Sequence, residues 1–172
     1  QKPGGIAALV EGITYIIGMV IAFTILAPAW ELAPADFVQF QADNQLFLHV
    51  WHLLIYLVNG FFLIVLVLAL AERLRPSAPA AAQISQAFGL IWAGLVIASG
   101  LIILHDIRVV SELAVHDSQQ ATTLWLALSA VESAIGGGIE LPGGLWILLI
   151  SWVGLQKRVF PRGLMFLGLV AG

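Results

Sequence analysis

The sequence predicts an all-α protein, a polytopic transmembrane helix bundle with four complete spans, a truncated fifth and an amphipathic helix on the outer face. Three observations lead there. The chain of 172 residues is 60% hydrophobic and only 10% charged, where soluble domains run near 45–50% apolar and about 25% charged. Its apolar runs approach the ~20 residues that a helix needs to cross a bilayer. Its few cations fall on alternate sides of those runs in the way membrane topology demands. Mean hydropathy is +1.00, and a soluble fold of this size has no interior large enough to hide that much apolar surface.

The spans follow in order. Residues 6–27 form the first, interrupted by Glu11. Residues 46–71 form the second and carry His49, His52 and Asn59. Between them, "PAWELAPADFVQFQADN" has no Lys or Arg and reads as a plain acidic loop. "ERLRPSAPAAAQIS" follows the second span, and its two prolines stop the helix. The third span covers 86–104, with Ser85 as the expected N-cap.

The fourth is the least regular. "ESAIGGGIELPGGLWIL" puts five glycines and Pro142 around Glu140. A hairpin at the glycines would leave four of the seven basic residues on the outside. A single span over 135–156 puts Lys2, Arg73, Arg75, Lys157, Arg158 and Arg162 inside and only Arg108 outside. The positive-inside rule selects the single span and a cytoplasmic N-terminus. Residues 105–134 then form an external helical segment. Arg108 and Glu112 pair at i,i+4 on its wet face, and Asp117 or Ser118 caps its second helix. There Leu124, Leu128, Val131 and Ile135 recur at one-face spacing, as in a helix at the outer interface or folded over the bundle. A fifth span begins at 161–172. The chain starts at Gln1 and stops inside an apolar run, so a longer protein is expected.

Ionisable residues inside spans are costly and are functional candidates by default. Glu140, Glu11 and Asn59 are the candidates for a ligand or ion. Glu11 lies about 7 Å above the inner surface, five residues in at 1.5 Å each. Glu140, His49, His52, His105 and Asp106 fall in one outer layer, and Glu132 falls at the outer interface. His49 and His52 share a helix face at i,i+3. With His105 and Glu140 they form a candidate divalent-metal site, and a bis-His haem would pair one of them with His105. The alternative is that they are interfacial residues beside Trp51 in an aromatic belt. The glycines around Glu140 suit a discontinuous helix lining a binding site or close helix packing, and both readings stand. No cysteine is present, which removes thiolate ligands and nucleophiles. "ASG" at Ala98–Gly100 lacks the leading glycine of a membrane serine protease motif, and no H-E-x-x-H occurs. The small net charge of −3 excludes nucleic acid as a partner.

"GGIAALVEGITYIIG", "AFGLIWAGLVIASG", "GGGIELPGGLWILLISW" and "FPRGLMFLGLVAG" follow one another in an order that resembles a family of bacterial multi-pass membrane proteins catalogued only as a domain of unknown function. The resemblance covers most of the chain. It implies the bacterial inner membrane and one or two further helices, and it implies no activity and no functional residues. Two function classes are expected, and an enzyme is not among them. One is an accessory or structural subunit packed in a larger membrane complex or self-associated, in the lipid bilayer. The other handles a small molecule, ion, metal or haem in the outer leaflet near Glu140.

Overall fold

A computed structural model describes residues 2–172, the side chains of residues 136–140 excepted. The described residues are helical, with no strand among them. Helix α1, Lys2–Ile21, continues through a π-turn at Ala22–Leu26. It ends where Pro28 denies the next turn its backbone donor. Helix α2 spans Pro34–Asp43. Helix α3, Gln45–His52, a π-turn at Leu53–Val58 and helix α4, Asn59–Leu74, form one rod, Gln45–Leu74. Helices α5, Pro79–Ala114, and α6, Ser118–Lys157, are the longest. Helix α7 covers Arg162–Ala171. Among the described residues, three helices are long and apolar enough to cross a membrane: Lys2–Leu26, Gln45–Leu74 and Pro79–Ala114. The expected fourth span, 135–156, lies in α6 and includes residues outside the described set.

Successive long helices pack antiparallel, and small residues set how closely. A Cβ on Gly4 would strike Ala69, and one on Gly18 would meet Ile55 at 2.9 Å, so α1 runs against the α3–α4 rod. Gly60 faces Ile97 and Gly89 faces Val67, which joins the rod to α5. Gly143 faces Trp92 and joins α5 to α6. Leu63, Val67, Ala93, Val96, Trp146 and Ile150 fill the centre between α4, α5 and α6. On α1, Ile6, Leu9, Ile16 and Phe23 stay more than half exposed, the surface a lipid-facing helix presents.

The two ends of the bundle differ. At one, Gly4 packs on Ala69 and the Arg73 guanidinium lies 5.4 Å from the Phe160 ring centre. At the other, α5 extends well past a bilayer's reach: its 36 residues span about 54 Å at 1.5 Å each, against a hydrocarbon core of ~30 Å. Arg108 and Glu112 are bonded there at 3.4 Å. Asp117 caps α6 by accepting from the Gln120 amide at 2.9 Å.

Three expectations change. The acidic segment after α1 contains a helix, α2, whose Val38 packs with Val110 and Ala121. Pro34 in its first turn supplies a φ already set for helix, and Asp36 favours the positive end of the dipole. Helix α5 begins at Pro79 rather than behind Ser85, for the same reason: proline opens a helix at no cost in hydrogen bonds. Ser85 lies buried inside it, donating to the Ala82 carbonyl at 3.1 Å. Third, the segment from Ser118 is the first half of α6 itself, packed along α5 through Ala121 and Val110.

Candidate functional site

Two polar clusters sit inside this apolar bundle. The first joins α1 to α4. Glu11 and Thr14, three residues apart, share a face of α1, and Asn59 opens α4 opposite them. The Asn59 amide donates to Glu11 Oε2 at 2.8 Å and to Thr14 Oγ1 at 3.0 Å. The Thr14 hydroxyl turns back onto its own helix, within bonding distance of the carbonyls of Val10 and Glu11. All three side chains are buried, and only Glu11 Oε1 lacks a partner. A cavity of about 320 Å³ borders this cluster, with Thr14 and Asn59 in its wall and Trp51 and Tyr56 at one side.

The second cluster is at the opposite end from Arg73 and surrounds a cavity of about 410 Å³ between α2, the α3–α4 rod, α5 and α6. Trp51 and Tyr56 belong to both cavities and stand between them. The π-turn at Leu53–Val58 inserts one residue into the rod just after His52, and such bulges commonly occur at functional sites. His52 Nδ1 lies 2.7 Å from the Leu48 carbonyl. That carbonyl can only accept, so the ring proton is on Nδ1 and Nε2 is left as an acceptor. The imidazole stacks on Tyr56 at 5.9 Å and meets Trp51 edge-on at 4.5 Å. Helix α5 contributes Asp106, and α6 contributes Glu132, which is close enough to act by charge on both Asp106 and Tyr56. Burial raises the Glu132 carboxyl above its ordinary value. Helix α2 closes the cavity with Phe37, Phe40 and Gln41, and Phe37 packs on Trp125 of α6 at 4.9 Å.

The walls of this second cavity are unusual in their hydrogen bonding. Asp106 is 8% exposed, Gln41 3% and Trp51 9%. Yet Asp106 Oδ1, Gln41 Nε2 and Trp51 Nε1 have no partner among the described residues. Buried polar atoms are nearly always bonded, so three orphans around one cavity need an explanation.

The residues singled out from the sequence are distributed as follows. Glu11 and Asn59 are brought together. His52 lines the second cavity. His49 is half-buried and is not in its wall, and His105 is exposed on α5. Among the described residues no three His, Asp or Glu side chains gather as a metal site would require. The Glu140 side chain lies outside the described residues. Trp51 is buried rather than placed in an interfacial belt. Glu132 and Asp106, which the sequence marked only by depth, are the cavity's carboxylates. Gln41 was missed because its helix was read as loop. The spacing of Phe37, Phe40 and Gln41, behind Pro34 and Asp36, carried the signal of a one-sided helix.

Long apolar helices around an internal polar cavity define an integral, multi-pass helical membrane protein. More particularly, the chain belongs to the family described as a domain of unknown function, DUF4386, whose pattern matches residues 5–172. No curated protein and no solved structure matches the chain.

Proposed function

We propose that this protein binds a small molecule in the outer cavity between α2, α3, α5 and α6. The observation that carries the reading is the set of orphaned atoms on Asp106, Gln41 and Trp51 around a space of about 410 Å³. Leaving a buried polar atom unbonded costs about 1–3 kcal/mol. A bound ligand towards which these side chains turn supplies the partners and removes that cost. The volume falls within the range typical of small-molecule sites, as do the mainly apolar walls and few polar groups.

The charge distribution supports an orientation. Lys2, Arg73, Arg75, Lys157, Arg158 and Arg162 belong to the end opposite the cavity. By the positive-inside rule that end is cytoplasmic, the membrane is the bacterial inner membrane, and the cavity opens on the outer side. The second half of α6 is then the fourth span and α7 begins a fifth.

The test is to fill the cavity. Ser129 lines it from α6. Chain purified from membranes is expected to carry a small molecule detectable by native mass spectrometry, and the Ser129→Trp variant is expected to lose it while keeping its helical content. An identical adduct spectrum for both proteins would refute the reading.

A second reading, an accessory subunit of a larger complex, has one observation in its favour. Gly5, Ala8 and Gly12 recur on one exposed face of α1, and a Cβ on Gly5 or Gly12 would meet nothing within 4 Å. Small-residue faces of this kind let another helix dock in lipid. Gly12→Leu is expected to break a docked complex and to leave an isolated chain unchanged, as read by the mass of the detergent-solubilised particle.

A further inference from the structure

We propose that the ligand of the outer cavity is an organic cation, an amine or quaternary ammonium head on an aromatic or aliphatic body that also carries an oxygen acceptor. This rests on the ligand-site reading above and names the chemistry that site selects.

Charge comes first. Among the described residues, the formal charges in the wall are Asp106 and Glu132, and no Lys or Arg lines the cavity. The nearby Arg108 is engaged with Glu112 on the exposed face of α5. His52 turns its proton towards Leu48, so its neutral ring presents an acceptor to the cavity. An anionic ligand would meet two carboxylates with no cation to offset them. A cation meets two carboxyl groups with no basic residue in the wall, and its charge favours their ionised form.

The walls then choose between kinds of cation. Trp30, Phe37, Phe40, Trp51, Tyr56 and Trp125 surround the space. Aromatic faces attract ammonium heads, most strongly when both are out of water. A bare divalent ion needs six or more oxygen ligands, and no three acidic or imidazole groups converge among the described residues. A cavity of about 410 Å³ is also far larger than an ion. The remaining orphans, Gln41 Nε2 and Trp51 Nε1, are donors. They have nothing to offer an ammonium and suit a carbonyl or ester oxygen elsewhere on the same molecule.

The same arrangement sets the pH dependence. Among the described residues, the titratable groups lining the cavity are Asp106 from α5, Glu132 from α6, and His52 and Tyr56 from the rod. Helix α2 contributes only the neutral Gln41. As pH falls, protonation of either carboxylate removes negative charge and protonation of His52 adds positive charge. Every one of these changes weakens a cation. Tyr56 is neutral throughout the acidic range and does not alter the sign. Cation affinity therefore falls with falling pH, and the affinity of a neutral ligand of the same shape does not.

Benzoylcholine and its uncharged carbon isostere, 3,3-dimethylbutyl benzoate, form a suitable probe pair. Both are titrated into the purified full chain with tryptophan fluorescence as the readout. Benzoylcholine is expected to bind saturably and at least tenfold more tightly than the isostere. Asp106→Asn is expected to weaken it about tenfold or more, and Ser129→Trp to abolish it. Glu132→Gln, on a different helix, gives the same reading should Asp106→Asn fail to fold. If the isostere binds as tightly as benzoylcholine and Ser129→Trp abolishes both, the cation class is overturned while the ligand site stands. If neither probe shows saturable binding that Ser129→Trp removes, the cation proposal and the site reading fall together.

Discussion

The two polar clusters of this bundle are built from similar residues and differ in how they are satisfied. Glu11, Asn59 and Thr14 bond to one another across α1 and α4 and leave one oxygen unbonded. Asp106, Gln41 and Trp51 face a common space and each leaves a polar atom unbonded. Polar residues in a membrane bundle can thus act as interhelical glue or as a site awaiting a partner, and bonding within the chain tells the two apart. The surrounding packing differs in the same sense. Glycines such as Gly60, next to Asn59, bring helices together near the first cluster, whereas aromatic rings line the space of the second.

The largest expected effect comes from breaking the bonded cluster. Asn59→Leu strands the Glu11 carboxyl without its donor, and should cost about 3 kcal/mol, at the upper end for an unsatisfied buried group. Thermal melting in detergent should show a large drop, and adding Glu11→Leu should restore most of it, because removing both partners leaves nothing unpaired. An unchanged melting temperature in Asn59→Leu would remove the distinction between the clusters. Next is Gly89→Ala. Its added methyl would lie 2.6 Å from Val67 Cγ2 and 2.8 Å from Trp146 Nε1. Overpacking of this kind costs about 1–3 kcal/mol, while Ser129→Ala in the open cavity should stay within about 0.5 kcal/mol. Equal losses would mean that the cavity wall is as tightly packed as the centre. The smallest is Asp117→Ala, which removes the α6 cap at a cost of about 1 kcal/mol. Hydrogen exchange should rise at Gln120 and its neighbours and remain unchanged at Asn59.

Much of the fold was legible because lipid leaves so few options. A long apolar run in a bilayer must be a helix, since each backbone group has to be bonded within it. The long helices at Lys2–Leu26 and Gln45–Leu74 therefore lie close to the expected 6–27 and 46–71. The i,i+4 pair of Arg108 and Glu112 and the Asp117 cap are local features, readable from neighbouring residues alone. Helix α2 was read as loop because its ten residues are of mixed polarity, and the short signal of Pro34, Asp36 and the spacing of Phe37, Phe40 and Gln41 was passed over. Its reason for existing is tertiary: Val38 is buried against Val110 and Ala121, far along the chain. The site was legible in part. His52 and Asp106 were assigned to one layer by depth and line one cavity, and Glu11 and Asn59 were marked as costly. Depth says nothing about azimuth, however. His105 and Asp106 are adjacent, yet about 100° apart around α5, so one is exposed and the other faces the cavity. Glu132 was passed over because its importance comes from Asp106 and Tyr56 on other helices.

A second cavity that keeps polar groups unpaired for a ligand makes a sharp demand on the melting temperature of ligand-free Asp106→Leu. A carboxylate that is buried without a partner costs stability, and an apolar side chain of similar size relieves that cost. Asp106→Leu is expected to melt higher than the parent chain, by the equivalent of about 1–2 kcal/mol, and no longer to bind benzoylcholine. A lower melting temperature, like that expected for Asn59→Leu, would show instead that Asp106 holds the bundle together and that the cavity is not kept open for a ligand.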